Sequence, residues 1–86
     1  MSSQDQQQNQ AQQVEHNRMW LNNFVQGRQL GNITYNDEEN LQEQTWTATV
    51  QLNGTNIGTG QAGSKKGARE NAAREGLAFL QSQHGN

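Results

Sequence analysis

The stretch Thr45-Trp46-Thr47-Ala48-Thr49-Val50-Gln51-Leu52-Asn53-Gly54 alternates apolar and polar side chains without a break up to Leu52. Successive side chains of a strand point to opposite faces, so Trp46, Ala48, Val50 and Leu52 share one face and Thr45, Thr47, Thr49 and Gln51 the other. This pattern predicts a half-buried antiparallel strand. Asn53-Gly54 suits the two positive φ angles of a type I′ turn, and Thr55 to Gln61 is expected to return as the hairpin partner. Within that return, Gly58-Thr59-Gly60 reads as strand with a close backbone approach or a bulge.

Downstream of the hairpin, Ser64 is a good helix N-cap, and Ala68, Ala72, Ala73, Gly76, Leu77 and Leu80 recur at helical spacing. A helix is expected over 65–82, with Ala72, Ala73 and Gly76 small enough to let its backbone approach the sheet. Upstream, Trp20, Leu21, Phe24 and Val25 form one apolar arc on a helical wheel, which predicts a first helix from Glu15 to about Arg28. Its opposite face holds Glu15, Met19, Asn22, Asn23 and Gln26. Met19 lies near the centre of that polar face, which makes it either a lone exposed apolar residue of the common kind or part of a contact surface. Between helix and hairpin, Ile33 and Tyr35 alternate with polar residues after Gly31-Asn32 and suggest a short strand. That strand runs into the acidic stretch Asp37 to Glu43, read as a solvated loop. The order helix, strand, strand, strand, helix defines an α+β fold, α-β-β-β-α.

The chain has 86 residues, 29% of them hydrophobic, and a mean hydropathy of -1.15, so it has room for one small core and not two. The domain is expected to span 14–82. Residues 1–13 include seven Gln and only Met1 and Ala11 as apolar residues; they cannot offset their ordering entropy and read as a disordered tail. Residues 83–86 form a short carboxyl-terminal tail. The absence of Cys excludes disulfides, thiol nucleophiles and thiolate metal sites, and His16 and His84 are too few for a zinc site. No long apolar run and no basic leader are present, so no membrane span or secretory signal is expected and an intracellular, cytoplasmic or nuclear location is. No Ser, His and acid are plausibly grouped for catalysis. Gly58 to Lys65 superficially matches a phosphate-binding loop, but Ser precedes Lys where the order must be reversed. The expectation is a protein that is not an enzyme and that uses no cofactor and no small-molecule substrate.

The net charge of -2 conceals a sorting: Asp37, Glu38, Glu39 and Glu43 cluster, while Lys65, Lys66, Arg69 and Arg74 hold four of the six cations. Lysines in the first turn of a helix face the positive end of its dipole and are disfavoured there by roughly 0.3 to 1 kcal/mol each. Stability alone would not place them there. Lys65, Lys66 and Arg69 fall on one arc, so their heads and the free backbone N–H groups are expected to converge where an anion such as phosphate could sit. This inference requires that the protein's own carboxylates leave these cations free.

Taken together, Gly58-Thr59-Gly60-Gln61-Ala62-Gly63-Ser64-Lys65-Lys66-Gly67-Ala68-Arg69-Glu70-Asn71-Ala72-Ala73 resembles the carboxyl-terminal signature of the double-stranded RNA-binding domain, and Met19-Trp20-Leu21-Asn22-Asn23-Phe24 resembles that family's opening helix. The similarity runs from about Asn17 to Gln81. It implies two helices packed on one face of a three-stranded antiparallel sheet, and a domain that reads A-form duplex RNA by shape with little sequence preference. It implies Lys65, Lys66 and Arg69 as a phosphate clamp across the major groove, with Arg69 where the family usually has a third Lys. Met19, Asn22 and Asn23 then lie at the minor-groove contacts of helix one; the family most often has Glu at the place of Asn23. One departure stands out. The family carries a Gly-Pro-x-His loop between its first two strands, whereas this chain has no Pro and its connection, Asn36 to Gln44, holds four acids, which should repel phosphate.

A different kind of function is also consistent with the residues: a protein-interaction module of the same fold, dimerising or docking on a larger partner, with RNA affinity weakened by the acidic connection. The acidic net charge and the Gln-rich tail point that way; the basic cluster points to RNA.

Overall fold

The computed structural model describes residues 16–83; the expected tail at 1–13, together with Val14 and Glu15, lies outside them, and of the tail expected at 83–86 only Gln83 is described, as the last residue of a helix. Five elements follow in the order α1 (Asn17–Gly27), β1 (Ile33–Asn40), β2 (Thr45–Leu52), β3 (Thr55–Ala62) and α2 (Lys65–Gln83). The strands form one antiparallel sheet ordered β1-β2-β3. Helix α2 lies across β3 and β2, and α1 packs on α2. The core between helices and sheet consists of Leu21, Val25, Ala48, Val50, Ile57, Ala68, Ala72, Ala73 and Leu80. Four of these nine are Ala, so close approach of backbones replaces side-chain bulk.

The β2–β3 hairpin forms as its alternation dictates, with Ala48 and Val50 fully buried. Asn53 and Gly54 take φ of 54° and 86°, the left-handed pair of a type I′ turn. The ladder shifts at Val50/Gln51: Val50 pairs with Gly58 and Gln51 with Asn56, which leaves Ile57 as the bulged residue, buried against Gly76. Gly60 faces α2 so closely that a Cβ there would collide with the Ala72 nitrogen and the Ala68 carbonyl oxygen; at Gly58 it would meet the Ala72 carbonyl oxygen at 2.5 Å. The close approach expected of this glycine pair is present, whereas the bulge falls one residue earlier, at Ile57, and Gly58 to Gly60 pair in regular register. Asn53 also ties the hairpin turn to the α1–β1 linker, accepting from the Asn32 N–H and donating to the Leu30 carbonyl, each at 3.0 Å.

Two expectations need correction. The strand β1 does not stop near Tyr35: it continues to Asn40, so Asp37, Glu38 and Glu39 are strand residues, and the connection to β2 is only the turn 41–44. Pairing overrides their low strand propensity, with Asp37 opposite Ala48 and Glu39 opposite Trp46. Asp37 therefore falls on the helix-facing side of the sheet with Ile33 and Tyr35. The second correction concerns α1, where Leu21 and Val25 are buried as expected but Trp20 is 41% exposed, and the polar Asn17 is buried in its stead. The contact of α1 with α2 is narrower than the apolar arc of the wheel.

Candidate nucleic-acid interface

Helix α2 begins as its sequence requires. The Ser64 hydroxyl accepts the Gly67 N–H at 3.0 Å and the Ser64 carbonyl accepts the Ala68 N–H at 3.0 Å, which places Lys65 and Lys66 in the first turn. No acid lies in that turn to complement the helix dipole. Lys65 and Lys66 are both exposed. The Lys65 ammonium stands 5.7 Å from the centre of the Trp46 ring, within cation–π range. Lys66 has no partner among the described residues, and its charge is open to solvent.

Arg69 is different. Its Nε donates to both Asp37 carboxylate oxygens at 3.0 Å and its Nη2 donates to Oδ2, a bidentate pair between the first edge strand and α2. The same carboxylate lies 3.9 Å from the Lys65 ammonium. Hydrogen bonding from Arg69 is the main reason that the Asp37 carboxyl is held below its ordinary value, reinforced by the charges of Arg69 and Lys65 against the opposing effect of burial. Arg69 is correspondingly raised by Asp37. The three cations therefore do not converge as free charges: Asp37 takes Arg69, touches Lys65 and leaves Lys66 alone. The condition that the protein's own carboxylates stay away is not met at Arg69, because the longer β1 brings Asp37 beneath it.

From this cluster the surface is continuous to α1. The Arg69 guanidinium carbon lies 5.6 Å from the centre of the Tyr35 ring, whose hydroxyl is pushed upward in pKa mainly by burial. Tyr35 in turn lines a shallow depression of about 400 Å³ with Ile33, Glu70 and the α1 residues Arg18, Met19 and Asn22. Met19 is 51% exposed, and Asn22 and Asn23 are exposed beside it. Met19 and Asn22 are thus linked to the first turn of α2 through Tyr35 and Arg69, whereas Asn23 is exposed and does not line the depression.

What joins α1 to α2 was not legible. Glu70, one residue beyond Arg69, is buried at 1% exposure and accepts Arg18 Nε at 2.6 Å and the Arg18 backbone N–H at 3.2 Å. The available signal was the helical spacing of Glu70 from Ala73 and Leu77, which puts it on the face that meets α1. Asp37 and Tyr35 were likewise missed as site residues, because the strand that carries them reads as ending too early. At the far end of β1, the turn 41–44 offers no cation: Leu41 is 77% exposed, and Glu43 donates its N–H to Asn40 Oδ1. Among the described residues, no helix is long and apolar enough to cross a membrane and no three His, Asp or Glu side chains gather as metal ligands.

The chain matches none of the curated proteins compared with it. A family model, that of the double-stranded RNA binding motif, matches residues 21–80 and so takes in α1 from Leu21, the whole sheet and most of α2. With the helix–three-strand–helix architecture in place and more than half of the 86 residues matched, the chain belongs to the double-stranded RNA binding motif family.

Proposed function

We propose that this domain binds A-form RNA through the ridge that runs from α1 to the first turn of α2, with Lys65 and Lys66 on phosphates across the major groove, Arg69 adding its unengaged edge, and Met19, Asn22 and Asn23 in the adjacent minor groove. The observation that carries this reading is the continuity of that ridge: Met19 and Asn22 meet Tyr35 in one depression, Tyr35 lies under Arg69, and Arg69 stands one turn from the exposed Lys65 and Lys66. Amides and a thioether suit the wide, shallow minor groove of RNA, where 2′-hydroxyls are exposed, and ammonium groups suit phosphate. The protein then acts by recognition alone, reading shape and not base sequence, without catalysis.

The turn 41–44 supplies no cation for a second minor groove, so binding rests on one minor groove and one line of phosphates. The test is a titration with a duplex RNA of about 20 base pairs, longer than the roughly 16 that such a domain spans, beside a duplex DNA of the same sequence. Saturable binding of RNA with several-fold weaker binding of DNA is expected. Equal affinity for both would reject recognition by A-form shape. The neutralisation of Arg69 by Asp37 favours a second reading, a protein-docking domain, for which neither duplex would bind and a protein partner would be required.

A further inference from the structure

We propose that Asp37 is a built-in competitor for phosphate at the first turn of α2 and sets the affinity of the site for duplex RNA, an inference that rests on the reading of Lys65, Lys66 and Arg69 as phosphate contacts. The carboxylate presents two oxygens to one edge of the Arg69 guanidinium, the arrangement in which a phosphodiester would bind it. It also lies within ion-pair range of Lys65. Its side chain is 10% exposed, and its only ion pairs among the described residues are these two cations. The four groups Lys65, Lys66, Arg69 and Asp37 therefore present a charge of +2 where three cations alone would present +3. An incoming phosphate must either displace the carboxylate or work around it.

The identity of residue 69 fits working around it. A guanidinium has five N–H donors in a fixed fork. Asp37 engages Nε and Nη2, and no Nη1 contact is found among the described residues, so Arg69 can hold Asp37 and still offer an outward edge to an anion. A lysine has one compact charge and would be drawn to Asp37 with no second edge. Asp37 on β1 and Arg in place of Lys on α2 are thus two halves of one arrangement: the acid lowers the field of the site, and the arginine retains a contact despite it. Glu39, two residues along on the same face of β1, is exposed and pairs with no cation among the described residues, so it provides a control for the same unit of charge without the contact.

The experiment uses the full chain and a duplex RNA of about 20 base pairs, titrated at low and moderate salt with wild type, Asp37→Asn, Glu39→Gln, Arg69→Lys and the double variant D37N/R69K. Removing the carboxylate charge raises the site from +2 to +3, so D37N should bind about three- to tenfold tighter and steepen the salt dependence by about 0.9 in log–log slope. E39Q should change affinity less than D37N. R69K should weaken binding, and that penalty should shrink in the D37N background, a coupling between the two positions that charge removal at a distance does not produce. Asp37→Thr repeats the test with a residue favoured in strands, so that a folding defect of one variant does not decide it. Unchanged or weaker binding by both D37N and D37T, while K65A/K66A still loses affinity, overturns the competitor role and leaves the RNA interface standing. Failure of wild type and every variant to bind duplex RNA overturns both.

Discussion

Asp37 on β1 and Arg69 on α2, 32 positions apart in sequence, form a bidentate ion pair that joins the edge of the sheet to the helix carrying the candidate interface. Its contribution to stability depends on pH in a defined direction. The folded carboxyl is held below its ordinary value of 3.8, chiefly by hydrogen bonds from Arg69. The native state therefore binds this proton less readily than the unfolded chain, and the stabilisation is complete above the unfolded value and lost as pH falls through the folded one. Asp37→Asn should cost about 1 kcal/mol near neutral pH, since Arg69 remains 31% exposed and the pair is partly screened. In urea titrations the gap between wild type and D37N should stay constant above about pH 5 and close below 3.8. A gap of constant size across that range contradicts the assignment of the shift to this pair.

The Arg18–Glu70 pair predicts an asymmetry between single and double substitutions. Removing Arg18 leaves the Glu70 carboxylate buried with only the Arg18 backbone N–H, so Arg18→Met should destabilise by about 2–3 kcal/mol. Replacing both residues with Met removes the buried charge as well, and the double variant should be more stable than R18M alone. Chemical denaturation of the three proteins checks this ordering. A double variant less stable than R18M would mean that Glu70 stabilises the fold independently of Arg18.

Packing of α2 on β3 depends on two positions where no side chain fits. Gly60→Ala would drive a Cβ into the backbone of α2 at Ala68 and Ala72, and Gly58→Ala into Ala72 and Gly76. Backbone cannot rotate out of the way as a side chain can, so each substitution should cost at least about 3 kcal/mol, the upper end of typical overpacking penalties. Thermal unfolding is the measurement; a loss below about 1 kcal/mol at either position would contradict the close approach.

The end of α1 offers the opposite change. Leu30 donates its N–H to the Val25 carbonyl and Gln29 to that of Gln26, a helix-terminating pattern in which Gln29 takes a φ of 54°. Glycine occupies that conformation without a Cβ penalty, so Gln29→Gly should raise stability by about 0.5–1 kcal/mol with no change in RNA affinity. A destabilised Q29G would show that the Gln29 side chain contributes more than its backbone conformation costs.

The parts of the fold that were legible are those in which local pattern and tertiary contact agree. The strand Thr45–Leu52, the Asn53-Gly54 turn and the Ser64-capped helix each carry a complete local signal, and each forms with little error in its bounds. The acidic half of β1 carries none: Asp37, Glu38 and Glu39 are poor strand formers, and their state is settled by ladder partners in β2 and by cations thirty residues away. That single misreading concealed the most consequential feature of the candidate site, because a solvated loop would have left Arg69 free. Trp20 shows the other limit. Periodicity places it beside Leu21, but only the narrow seam between α1 and α2 decides that Leu21 and Asn17 are covered and Trp20 is not. The exposure of Met19, by contrast, needed nothing beyond its position opposite the apolar arc.

The central claim is that ammonium groups at the first turn of α2 hold the RNA backbone, and the salt dependence of duplex RNA affinity tests it most directly. Arg69 keeps an edge for phosphate but its charge is balanced by Asp37, so the net charge of +2 at the site should give a slope of log K against log salt near -1.8, using the duplex DNA coefficient of about 0.9 per phosphate. The variant K65A/K66A should bind at least about tenfold more weakly at low salt, with a slope close to zero and an unchanged unfolding midpoint. Wild-type affinity and wild-type slope in a folded K65A/K66A protein would contradict the account.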